Sequence, residues 1–208
     1  MRRLVPILLG LVLASCGLWL PDAVPLSALA DLPDGGTVRV AAVYVADPAG
    51  PYLTQWVLSN PDIPVQTAPL RIAVTLPPAV IAALPLRVEA GLSYLPMVLT
   101  AQLTQNDGVV TLSDVRDVDY RIREQTVAAN DSNRLIRVIG HVRSPAPAIV
   151  LADRSDPRIT IGFEPPWLAD TAPVRLGDGA ALLIEGVRTG DVLLPLVIAP
   201  VIDEQVTE

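Results

Sequence analysis

Lysine is absent from this 208-residue chain, cysteine and histidine occur once each, and aromatic residues make up only 4%. The lone cysteine, Cys16, cannot close an intramolecular disulfide, so any folded domain must depend on its hydrophobic core. The lone histidine, His141, cannot form a zinc site without several carboxylate partners. Between Gly140 and Val142 on an expected strand, it reads as a packed or rim residue. All 15 basic residues are arginine, against 22 acidic residues, giving a formal charge of −7. Phosphate backbones attract basic surfaces and stacking aromatics, so nucleic acid is not an expected partner.

Reaction chemistry is equally sparse. Ser144, His141 and Asp153 make a triad only on paper, because nothing in their spacing fixes mutual hydrogen bonds and no nucleophile-elbow sequence occurs. Gly177-Asp178-Gly179 lacks the Lys and Ser/Thr of a phosphate loop and precedes an expected strand, so it reads as a turn. Asp153, Asp156, Asp178 and Asp191 also fall at expected turns, where aspartates usually cap their own backbone rather than bind calcium. No catalytic residue, metal site or cofactor is expected.

What the chain has in quantity is hydrophobic residues, at 51%, with 21 prolines and 13 glycines spread along its length. That composition supports a substantial core built from many short strands and turns, with little helix. The expected class is all-β.

The N-terminus follows a recognisable order. Met1-Arg2-Arg3 is a positive n-region, Leu4–Leu13 is apolar, and Leu13-Ala14-Ser15-Cys16 closes the run with small residues. This order resembles the lipobox of bacterial lipoproteins. The resemblance implies a signal peptide over residues 1–15, cleavage before Cys16, lipidation of its sulfur and an acylated, palmitate-bearing N-terminus. The rest would lie in the cell envelope, membrane-anchored on the extracytoplasmic side. The alternative is an uncleaved anchor over Leu4–Leu20, at the short limit for a membrane span. Without Arg2 and Arg3, 13 basic residues face 22 acidic ones, a net of −9.

After a tether over residues 16–34, a first β domain is expected over residues 35–127. Its strands are Thr37–Val45, Tyr52–Leu58, Leu70–Leu76, Leu86–Leu92 and Met97–Leu103, with a short helix at Ala79–Leu84 and a further strand possible at Val109–Leu112. Ser113–Gln125 alternates charged and apolar residues and reads as an exposed strand or ribbon. Ala128–Asn133 is a polar break. A second domain over residues 134–208 then repeats the order, with Arg134–Arg143, Ala148–Ala152, Arg158–Phe163, Ala180–Val187 and Val192–Ala199. In this matching, Leu84–Gly91 corresponds to Ala180–Val187, which places Glu89 opposite Glu185 in the alignment. Five strands with a connector between the third and fourth resemble the OB-fold, here as two tandem five-stranded Greek-key barrels. An antiparallel sandwich or another barrel is the alternative.

The expected function is a non-catalytic binding or scaffold module, held at the membrane through its N-terminal lipid and serving another envelope protein. Candidate contacts are Tyr120, Arg121 and Arg123 on the charged ribbon, and Trp167 after Pro165-Pro166 near a barrel mouth. Trp56 is read as core or barrel rim. The alternative function is a small-ligand or cation carrier using the barrel mouth.

Overall fold

Thr37–Val45 and Leu135–Arg143 alternate β-branched residues with small or charged ones, and each becomes the spine of a sheet. The computed structural model describes residues 22–60, 63–128, 133–143, 150–154, 156–163, 179–189 and 191–201. In chain order the elements are β1 (Val24–Pro25), a 3₁₀ helix (Leu26–Asp31), β2 (Thr37–Val45), β3 (Tyr52–Thr54), β4 (Val57–Asn60), β5 (Ile63–Thr67) and β6 (Arg71–Ala73). Helix α1 (Pro78–Ala83) comes next, then β7 (Arg87–Glu89), β8 (Leu92–Asn106), β9 (Val109–Asp119) and β10 (Arg123–Glu124). The remainder are β11 (Leu135–Arg143), β12 (Val150–Asp153), β13 (Thr160–Phe163), β14 (Ala181–Thr189) and β15 (Val192–Pro200). The chain is all-β, as its composition requires, and Pro78 occupies the first turn of α1.

The strands form a seven-stranded sheet around β2 and an eight-stranded sheet around β11. Both spines are dressed alike. A two-residue parallel strand lies beside each, β1 at Val40–Ala41 and β10 at Ile136–Arg137. Each spine then pairs antiparallel with a long strand on one side, β8 or β14, and with a short one on the other, β3 or β12. In the second sheet the path β11–β12–β13–β15–β14 returns to β11, with β13 and β15 parallel. In the first sheet the corresponding path stays open, because β6 and β9 lie side by side without a ladder. The cause is local to β9. Its register against β8 slips twice, between Val98 and Thr100 and between Thr100 and Gln102. The additional residues fall at Ser113–Asp119, where Asp114 and Asp117 adopt φ of 49° and 50°. These β-bulges twist the strand and interrupt the regular backbone row that a partner would need.

Alternation sorts each spine between two cores. Val38, Val40, Ala42 and Tyr44 face the interior of the first sheet with Leu53, Met97 and Leu99. Ile136, Val138 and Val142 face the interior of the second with Leu151, Ile184 and Ile198. A third core joins the sheets, with Ala41, Val43, Val45, Tyr94 and Val98 against Leu135, Val187, Leu196 and Val197. Gly186 sits at a bulge between β14 and β15, where a Cβ would overlap Leu194 O.

Several sequence expectations change. Residues from Asp22 onward are folded rather than tether: Val24 pairs with Val40, and Leu26 and Leu29 are buried in the first core. Tyr52–Leu58 is two strands, because the chain turns at Gln55–Trp56 and β4 crosses to the second sheet to pair with β15. Trp56 is 7% exposed in the second core, in line with its core reading. Strand pairing therefore crosses the break at 128–133, since β4 and β5 belong to the second sheet and β10 precedes the break. The ladder of β6 covers only Arg71–Ala73 within Leu70–Leu76. The repeat is also displaced by a strand. By its pairing with the spine, β8 is the counterpart of β14 and β9 that of β15, while β7 is an added edge strand. Leu84–Gly91 is thus not the equivalent of Ala180–Val187.

Candidate functional site: the open face of the second sheet

The row of β11 that points away from its interior runs Leu135, Arg137, Ile139, His141, opposite Val187, Glu185, Leu183 and Ala181 of β14. Leu135 and Val187 are sealed into the core between the sheets. Two residues further, Glu185 is fully buried while Arg137 keeps a side chain 32% exposed. Ile139 is 41% exposed. The face thus passes from sealed to open along one pair of strands.

Glu185 stands at that boundary. Arg87, from β7 of the first sheet, donates Nη1 to Glu185 Oε2 at 2.5 Å and Nη2 to Oε1 at 2.9 Å. Arg137 donates Nε and Nη2 to Oε1 at 2.9 and 2.7 Å. A buried carboxylate is tolerable only when its lone pairs are filled, and here two guanidinium planes fill them. The hydrogen bonds to Glu185 outweigh burial and hold the Arg137 guanidinium pKa above its ordinary value. The same ion pair fastens the two sheets together. Beside it, Tyr94 donates its hydroxyl to Glu89 Oε2 at 2.8 Å, and Ser59 donates to Oε1 at 2.7 Å. Burial first, then the bond to Glu89, pushes the Tyr94 phenol up to about 12.

Beyond Glu185 the surface opens into a groove of about 440 Å³. It arises at a fork: β10 pairs with β11 at Ile136 and Arg137, β12 pairs with it from Gly140, and Val138–Ile139 lie between. Arg137, Ile139 and Leu183 line it from the β11–β14 face. Glu124 and Thr126 line it from the β10 side, Asp153 and Arg154 from the end of β12. The fork is held open by local bonds: Val127 N donates to Asp153 Oδ2, Asp156 N to Asp153 Oδ1, and Arg188 Nη1 to Val127 O. Glu124, with a side chain 81% exposed, accepts from Arg137 Nη1 at 3.2 Å.

The residues expected from sequence fall around this groove rather than in it. Tyr120 packs partly buried against the first core. Arg121, with a side chain 88% exposed, pairs with Asp119 at 3.4 Å. Arg123 forms the β10 ladder with Ile136. None of the three lines the groove, whereas their neighbours Glu124 and Thr126 do. Trp167, Cys16 and Ser144 lie outside the described residues. Asp153 and Asp156 cap backbone amides as turn aspartates do, and Arg158 donates to Asp156, lowering its pKa. His141 Nδ1 lies 3.3 Å from Gly179 O at the rim of a neighbouring cleft of about 400 Å³. Among the described residues, no group of three or more His, Cys, Asp or Glu side chains could hold a metal ion. Sequence reasoning missed Arg87, Arg137 and the Glu185 ion pair. The available signal was a carboxylate in the apolar run Ala180–Val187 with an arginine on the neighbouring spine; the 98-residue separation of Arg87 hid the rest. Compared with protein-family models, curated proteins and solved structures, the chain matches none.

Proposed function

We propose that this chain is a lipid-anchored envelope protein whose two β units are OB-like barrels, and that it acts as a non-catalytic binding or scaffold module for another envelope component. The Leu13-Ala14-Ser15-Cys16 order supports the anchor. The closed path β11–β12–β13–β15–β14, with its parallel β13–β15 step, is the strand order of an OB barrel. The first unit follows the same order with an open seam.

The observation that carries the binding role is the open groove beside Glu185. Polar groups held by a buried ion pair, set against partly exposed Ile139 and Leu183, are the ingredients of a recognition surface. The module reading is tested by placing a photo-crosslinking residue at position 139 and at exposed Val109 in membrane-bound protein. A discrete adduct at 139 and none at 109 is expected; identical labelling at both would remove the reading. Cys16→Ser should abolish acyl labelling and membrane partition, and unchanged labelling would remove the anchor.

A further inference from the structure

We propose that the groove between β10 and β12 binds a peptide-like carboxylate that adjoins an apolar side chain, and that Glu124 occupies its place when the groove is empty of ligand. This deepens the binding-module reading and rests on it.

The argument begins with how Arg137 is held. Its Nε and Nη2 are fixed on fully buried Glu185, which sets the plane of the guanidinium before any ligand arrives. Of its five N–H groups, three bond to carboxylates, so two take no partner among the described residues. Nη1 is engaged only by Glu124, whose side chain is 81% exposed. An exposed ion pair of this kind is worth roughly 0–1 kcal/mol, so it yields readily to a competitor. Arginine with a pre-set plane suits carboxylate recognition, because little side-chain freedom is left to lose.

Charge decides which anion fits. Around the groove Arg87, Arg137 and Arg154 balance Glu124, Asp153 and Glu185. When Glu124 swings out, one positive charge remains uncompensated. That matches a monoanion such as a carboxylate and leaves a phosphate dianion over-charged. Ile139 and Leu183 lie beside Arg137 on the same face, so the group adjoining the carboxylate should be apolar. A cleft of about 440 Å³ falls within the range of about 300–1,000 Å³ typical of small-ligand sites.

The test uses detergent-solubilised full-length protein and N-acetyl-Ala-Leu as the free acid or the C-terminal amide, followed by titration of Ile and Leu methyl signals. The free acid should bind at least about tenfold tighter than the amide, the scale of a charge-assisted hydrogen bond. Glu124→Gln, a surface change, should strengthen acid binding several-fold by removing the internal competitor. Ile139→Ser should weaken N-acetyl-Ala-Leu more than N-acetyl-Ala-Ala. Equal binding of acid and amide, tighter binding of phenyl phosphate, or no binding even to Glu124→Gln would overturn the proposal. If those results came with a position-139 adduct, the carboxylate assignment alone would fall; without the adduct, the module reading would fall as well.

Discussion

The two sheets carry the same kind of outward row on their spines, and they use it in opposite ways. On β2 the row is Ala41, Val43 and Val45, all with no exposure, pressed against the other sheet. On β11 it begins with buried Leu135 and then turns to Arg137, Ile139 and His141, which stay partly open. Pairing around the spines is alike, so strand order does not produce the difference. Side-chain chemistry does: an unbroken apolar row has to find cover, whereas a row interrupted by a paired arginine can face water. A duplicated fold can thus bury one copy of a surface to join its halves and leave the twin available for a ligand.

The comparison breaks most severely if a charge is placed in the sealed row. Val43→Asp would put a carboxylate where the side chain has no exposure and only apolar neighbours, at a cost of about 4 kcal/mol or more. Urea unfolding should show loss of the native baseline or a large fall in midpoint; a small shift would mean that the two sheets are not packed as described. Glu185→Ala comes next. It leaves Arg87 and Arg137 facing each other beside an apolar core, and breaking a buried pair in this way costs about 3–5 kcal/mol. Both side chains are about one-third exposed, so solvent relief should place the value at the lower end of that range. Restoration to within about 1 kcal/mol by the double change Arg87→Met with Glu185→Leu would identify charge, rather than shape, as the cause.

The sequence made part of this legible. Alternation in Thr37–Val45 and Leu135–Arg143 located both spines, since a half-buried strand displays its period directly. Composition gave the class. The charged ribbon came within a residue of the groove, because Glu124 follows Arg123. What stayed hidden is non-local. Nothing near Trp56 announces that the chain changes sheets there, and nothing near β9 announces that aspartates at 114 and 117 will adopt positive φ and leave a seam open. Glu89 and Glu185 drew attention as matching positions in a repeat. In the fold their strands meet for a different reason: Arg87, two residues before Glu89, is the partner of Glu185. An ion pair across 98 residues leaves no periodic trace.

A pH titration sharpens the comparison at the sealed edge. Tyr94 belongs to the core between the sheets, and burial followed by its bond to Glu89 raises its phenol to about 12 from an ordinary value of about 10. The native state therefore favours the neutral form. The associated stability is complete below about pH 10 and is lost as pH rises through about 12. Absorbance near 295 nm should show a tyrosinate step near pH 12 that disappears in Tyr94→Phe. The substitution itself should cost about 0.5–1.5 kcal/mol at neutral pH, the net worth of one hydrogen bond. A titration unchanged by Tyr94→Phe would show that the hydroxyl is solvated and the edge open.

The smallest effect is expected from the change that mirrors the first. Ile139→Asp places the same charge in the outward row of β11, at a position 41% exposed and beside a guanidinium. The apolar area lost was already partly wet, and the new carboxylate keeps access to water, so no buried charge is created. Strand propensity opposes the change and attraction to Arg137 assists it. The net should stay under about 1 kcal/mol, the range of substitutions away from buried features. The contrast between Val43→Asp and Ile139→Asp measures the asymmetry between the two faces directly. Equal losses would mean that the second row is covered as the first is, and would close the groove as a binding surface. A large difference with intact folding would leave the second row free to bind.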